Sequence, residues 1–153
     1  MQPATASVRI RRPRAAVHEL LADLARHEEF LDHFLVDWTM TSESTRGPGA
    51  TGRVCARGGG SDAEIELEMT SVSDDAIVVH SRSGRRGRRR MRLDYVLEQV
   101  SEDTTQVNFT LHLVAGSVVD RVTWSLPRSH LERQYSQAML RLKGLLEGDP
   151  RSR

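Results

Sequence analysis

Four side chains, Trp38, Tyr95, Trp124 and Tyr135, stand out in a chain that is only 5% aromatic. Each falls at a position consistent with an apolar face. Tyrosine and tryptophan join a large apolar body to one hydrogen-bond donor, a combination that suits a pocket for a ring system; core packing is the competing role for the same positions. The remaining candidate chemistry is thinner. His27, Glu28, Asp32 and His33 carry atoms that ligate metals, but the spacing is not H-E-x-x-H, and the two histidines, six positions apart, fall on different faces of a helix. The group reads as a solvated polar face. His18, His80, His112 and His130 are scattered, with no serine or cysteine beside them in a nucleophile arrangement. Cys55 reads as an ordinary strand residue, and no catalytic, metal-ligating or cofactor-binding residue is assigned.

Arginine is the other concentrated chemistry. Arg82, Arg85, Arg86, Arg88, Arg89, Arg90 and Arg92 fall within eleven positions without one acid. Three roles fit such a run: phosphate contacts to nucleic acid, docking of an acidic partner such as an acyl carrier protein, or charge balance against Glu64, Glu66 and Glu68 across the outer face of a sheet. No aromatic residues are interleaved to stack bases, which disfavours nucleic acid and leaves the charge-balanced face as the expectation. Gly47-Pro-Gly-Ala-Thr-Gly matches G-x-G-x-x-G literally. A dinucleotide site needs that motif to open a helix, whereas a strand pattern follows, so it reads as a hairpin turn.

The elements that must position these residues follow from periodicity. Val8 and Ile10 share one face of an opening strand. Pro13 then starts a helix carrying the stripe Val17, Leu20, Leu21 and Leu24, and a second short helical pattern runs from about Glu28 to Leu35. From Val36 the period falls to 2. Trp38 and Met40 continue that alternation, and Ala63, Ile65, Leu67 and Met69 alternate with Asp62, Glu64, Glu66 and Glu68. Met91, Leu93, Tyr95 and Leu97, then Val107, Phe109, Leu111 and Leu113, repeat the pattern. The register of Ala76–Ser81 is left open by three consecutive apolar residues. Segments this close, with no helix between Val36 and Val114, must pair antiparallel, because parallel crossovers need a dozen or more residues. Leu131, Tyr135, Ala138, Leu142 and Leu145, widened by Met139 and Leu146, mark a long terminal helix ended by Gly148 and Pro150. The stretch from Gly116 to Pro127 reads as a helical lead-in broken near Pro127.

Size and composition set the outer bounds. At 153 residues the chain fits one domain, 1–153, with a core of its own. Its charges nearly cancel, 22 basic residues against 21 acidic ones, so no polyanion partner is implied globally. One cysteine closes no intrachain disulfide. No apolar run has the length of a membrane span, and the start lacks a signal-peptide core; the expected location is cytoplasmic, with no membrane partner.

Strand, two short helices, six further antiparallel strands and a long final helix is the order of the helix-grip fold. The chain resembles the SRPBCC superfamily, also called START-like or birch-pollen-allergen-like, and in particular its bacterial polyketide cyclase/dehydrase and lipid-transport branch. The resemblance rests on the strand–proline–helix opening from Val8 to Leu24 with Asp23 at its end, on Gly47-Pro-Gly-Ala-Thr-Gly, and on the closing run from Met139 to Gly148. Many members carry a tryptophan in the second helix, where this chain has Arg26-His-Glu-Glu-Phe-Leu. The resemblance implies an α+β helix-grip fold, a seven-stranded antiparallel sheet curled around the terminal helix, with a cavity between them. It further implies a hydrophobic small-molecule partner, polycyclic or lipid-like, held for carriage, sequestration or self-resistance in secondary metabolism. The expected lining is Trp38, Ile65, Leu67, Tyr95, Phe109, Leu111, Trp124, Tyr135 and Met139. The alternatives are a polyketide aromatase/cyclase acting on a carrier-bound chain, and an interaction module using the arginine hairpin. Scarce inward polar groups favour non-catalytic binding.

Overall fold

The computed structural model describes residues 2–57, 64–84, 87, 89–115 and 128–148. The chain opens with strand β1 (Ala4–Ile10) and helix α1 (Arg14–Leu21). A 3-10 turn (Leu24–His27) leads directly into the single-turn helix α2 (Glu28–Leu31). Strands β2 (Leu35–Met40), β3 (Thr51–Ala56), β4 (Glu64–Ser73), β5 (Ala76–Ser83), β6 (Arg89–Ser101) and β7 (Thr104–Ala115) follow, and α3 (Arg128–Glu147) closes the order. The seven strands make one sheet in the order β1-β7-β6-β5-β4-β3-β2, antiparallel throughout.

Alternation along the strands decides which way the sheet curls. Leu67, Met69, Leu93, Tyr95, Leu97, Val107, Phe109 and Leu111 are buried, while Glu64, Glu66, Glu68 and Arg92 are exposed. A sheet with one apolar face must cover it, and α3 supplies the cover through Leu131, Tyr135, Ala138, Met139, Leu142 and Leu146. The open register of β5 is settled by its neighbours: Val79 stands opposite both Met69 and Leu93. Ile77, Val79 and Ser81 therefore face inward, and His80 faces water.

The edges of α3 are tied down by polar contacts. Thr5 N donates to Glu132 Oε1 at 3.2 Å and Arg11 N to Glu147 Oε1 at 2.8 Å. Lys143 Nζ donates to Arg9 O at 2.9 Å, and Arg141 pairs with Asp32 beyond α2.

Three details depart from the expected elements. The first helix ends at Leu21 instead of running through Leu24, because Asp23 caps a new turn by accepting from Ala25 N at 3.1 Å. The second helix ends at Leu31, not Leu35: Phe34 O already accepts from Arg57 N at 2.9 Å and Leu35 pairs with Ala56, so sheet pairing overrides the helical pattern. In β2 the alternation breaks at a bulge between Val36 and Thr39, where Asp37 takes φ 57°. Gly116–Pro127, Ala63, Pro150 and the turn arginines Arg85, Arg86 and Arg88 lie outside the described residues. No helix among the described residues is long and apolar enough to cross a membrane.

Candidate functional site

A cavity of about 340 Å³ lies between the concave face of the sheet, α2 and the first turns of α3. Its inner wall is apolar and buried: Leu67 and Val79 from the sheet's middle, Leu93, Tyr95 and Leu111 beside them, and Leu131 and Tyr135 from the helix. Its outer rim is polar, with Arg57 at the end of β3, Ser83 and Arg89 at the turn between β5 and β6, and His130 and Gln134 on α3. No aspartate or glutamate is among the described residues that line it.

The residues singled out in the sequence divide into groups here. Ile65, Leu67, Tyr95, Leu111 and Tyr135 line the cavity together. Phe109 and Met139 do not line it; both are fully buried behind the wall, and Phe109 supports Tyr135 through a stacked pair 4.1 Å between centroids at 18°. Trp38 is also outside the lining. Beside the bulge in β2 its indole folds back on its own strand, Nε1 donating to Leu35 O at 2.8 Å, so it packs at the rim of the core instead. Trp124 lies outside the described residues.

Four polar inward residues, His27, His33, Ser81 and Ser83, had no place in that set. His27 is the sharpest reversal, since it was expected on a solvated face and is 2% exposed. Its Nε2 donates to Leu21 O at 2.8 Å, and its ring lies against Phe30 and Tyr95. A carbonyl can only accept, so Nε2 carries the hydrogen. Burial holds its pKa down at about 4, against the weaker raising effects of the Leu21 bond and Asp23. The readable signal was Asp23: a cap there starts a tighter turn in which Leu24 and His27 share a face.

His33 is half-exposed and donates from Nε2 to Gln134 O at 3.1 Å, bridging the β2 approach to α3. Burial lowers its pKa as well, with Arg141 adding to the effect. Ser81 and Ser83 were hidden by the unread register of β5. Tyr95 and Tyr135 are held protonated, burial pushing both phenols upward and Tyr135 adding to the rise at Tyr95. The cavity therefore presents neutral side chains inside and cationic ones at the rim.

Elsewhere the chemistry is ordinary. A second concavity, about 480 Å³ on the outer face, mixes Glu66 and Glu68 with Arg53, Arg82 and Arg90, and Glu66 stands directly opposite Arg82. Arg92 pairs with Asp94 at 2.8 Å. Gly47 and Gly49 take φ 77° and 96° in a turn that leads to a strand, not a helix. Among the described residues no three histidine, cysteine or acidic side chains gather as a metal site.

No protein-family model matches the sequence, and no curated protein does. Solved structures match it over nearly its whole length. The KanY protein aligns with a TM-score of 0.73 at 17% identity, covering 96% of this chain and 98% of that one. Norcoclaurine synthase from Thalictrum flavum, solved with dopamine and hydroxybenzaldehyde, aligns with a TM-score of 0.69 at 9% identity, covering 95% and 87%. A protein of Nitrosospira multiformis aligns with a TM-score of 0.70 at 12% identity, covering 98% and 99%. The likeness is one of fold: a seven-stranded antiparallel sheet gripping a C-terminal helix, the helix-grip fold.

Proposed function

We propose that this chain binds a small, largely apolar ring compound between its sheet and α3, for carriage or sequestration. One observation carries the reading: a cavity of about 340 Å³ whose inner wall is built of buried aliphatic and aromatic side chains. Apolar walls with a few placed polar groups are the usual composition of small-molecule sites, and the size falls at the small end of their range. Rings suit the wall better than extended chains, because Tyr95 and Tyr135 line it as rings fixed by neighbouring aromatic groups. The fold neighbour norcoclaurine synthase, solved with two small aromatic compounds, is consistent with such an occupant.

Titration with N-phenyl-1-naphthylamine tests the reading. We expect saturable fluorescence enhancement, displaced by aromatic polyketides more readily than by single-chain fatty acids. A folded protein that shows no saturable binding overturns it.

A second reading, a polyketide cyclase acting on a carrier-bound chain, draws support from the inward polar groups. His33, Ser81, Tyr95 and Tyr135 all contribute to the lining. Neutral imidazoles and protonated phenols are the pair needed to promote enolisation and dehydration of a folded polyketone. Turnover of such a substrate, lost on replacing these groups, would promote this reading over simple binding.

A further inference from the structure

Tyr95 stands at the centre of the sheet, opposite Ile77 of β5 and Phe109 of β7, and is part of the cavity wall. Its ring is fixed on three sides. His27 and Phe30 meet it edge-on at centroid distances of 5.5 and 6.4 Å, and Phe109 lies 5.1 Å away at 55°. The side chain is only 1% exposed, yet its hydroxyl is buried with no hydrogen-bond partner among the described residues. An unpaired hydroxyl in such surroundings destabilises the empty protein, and phenylalanine would fill the same space without that penalty. A phenol in that state is a donor waiting for an acceptor.

The rest of the wall points the same way. Tyr135 brings a second phenol, Arg57 stands at the rim, and no carboxylate is among the described lining residues. Among the described lining residues, phenol and guanidinium donors face no carboxylate, a set that complements a molecule whose polar atoms accept.

We infer that Tyr95 sets the specificity of this cavity, its hydroxyl donating a hydrogen bond to an oxygen of the bound molecule, so that the ligand class is ring ketones, quinones and related oxygenated aromatics in preference to bare hydrocarbons. The assignment rests on the binding reading above and names the group that the ligand must carry.

Fluorene and fluoren-9-one differ only at the bridging carbon, which carries a carbonyl in the ketone, and so form the matched probe pair. Each is used to displace N-phenyl-1-naphthylamine from the wild type and from Tyr95→Phe. The wild type should prefer the ketone by about tenfold, the scale of one buried hydrogen bond. Tyr95→Phe should lose that preference by binding the ketone more weakly, with fluorene unchanged or tighter and with a thermal midpoint no lower than that of the wild type. The carbonyl stretch of bound fluorenone should move to lower frequency in the wild type relative to its position in an alkane solvent, a readout that needs no variant to fold. Equal affinities in the wild type, an unshifted stretch, or a preference that survives in Tyr95→Phe would overturn the assignment. Failure of the reporter itself to bind saturably is a different outcome, and it takes down the binding reading on which the assignment stands.

Discussion

His27 sets its imidazole edge-on against the ring of Tyr95, centroids 5.5 Å apart and planes at 74°, while its Nε2 holds the carbonyl of Leu21. The contact joins the 3-10 turn to the centre of the sheet, and the burial that comes with it keeps the histidine neutral against the opposing effect of the Leu21 bond. Its folded pKa, about 4, lies below the ordinary 6.5. Between those values the unfolded chain binds a proton that the folded chain refuses, so stability falls as pH drops. The loss should reach about 2 kcal/mol between pH 7 and pH 5. Urea unfolding across that range should show the slope, and His27→Leu should flatten it, leaving the smaller contribution of half-exposed His33. A slope unchanged in the variant would count against the buried neutral imidazole.

Tyr135 stacks on Phe109 at 4.1 Å and lines the cavity from α3. Tyr135→Leu keeps apolar volume but removes the ring. Affinity for N-phenyl-1-naphthylamine should fall several-fold, and stability should fall by about 1–2 kcal/mol through loss of the stacked pair and some packing. Met139→Leu, behind the wall and fully buried, should leave affinity unchanged at a cost under about 1.5 kcal/mol. Equal effects on binding would mean that the wall is not where the probe sits.

The contrast between those two residues also measures what the sequence disclosed. Wherever apolar and polar residues alternated strictly, as from Glu64 to Met69 and from Met91 to Leu97, the inward face was legible, because a slip of one residue would expose the whole set. What alternation cannot show is which inward residues meet empty space and which meet neighbours. Phe109 and Tyr95 occupy opposed positions in adjacent strands, yet only Tyr95 lines the cavity. His27 groups in the sequence with the polar side of the second helical pattern, but it closes the 3-10 turn capped by Asp23, which turns its ring inward. Trp38 was misread because one bulge at Asp37 redirects the side chain that follows it.

The turn before β3 tests backbone geometry apart from contacts. Gly47 has φ 77° and nothing within 4 Å of where a Cβ would stand, so Gly47→Ala should cost about 1–2 kcal/mol from strain alone. Gly52 carries no such φ, but a Cβ there would approach Thr39 O at 3.3 Å and Met40 Sδ at 3.4 Å. Gly52→Ala should also destabilise the protein, by pressing on β2. Chemical denaturation distinguishes these outcomes from tolerance, and neither variant should alter probe affinity in the folded state.

The rim of the cavity carries the last expectation. Arg57 is exposed, reaches back to His33 O at 3.4 Å through Nη1, and faces a lining without a described carboxylate. A ligand with an anionic end should therefore lie with that end at the rim and its rings inside. 8-Anilinonaphthalene-1-sulfonate and N-phenyl-1-naphthylamine share the same aromatic frame and differ in the sulfonate, which separates charge from shape. Exposed charge pairs contribute up to about 1 kcal/mol, so Arg57→Gln should weaken the sulfonate by no more than about fivefold and leave the neutral probe unaffected. Raising salt should weaken sulfonate binding to the wild type and have less effect on the variant, since screening acts on the same interaction. Equal weakening of both probes in Arg57→Gln would instead assign the arginine a positioning role, holding His33 and the β2–β3 end of the cavity in shape, and would remove the reason to expect an acidic group on the ligand.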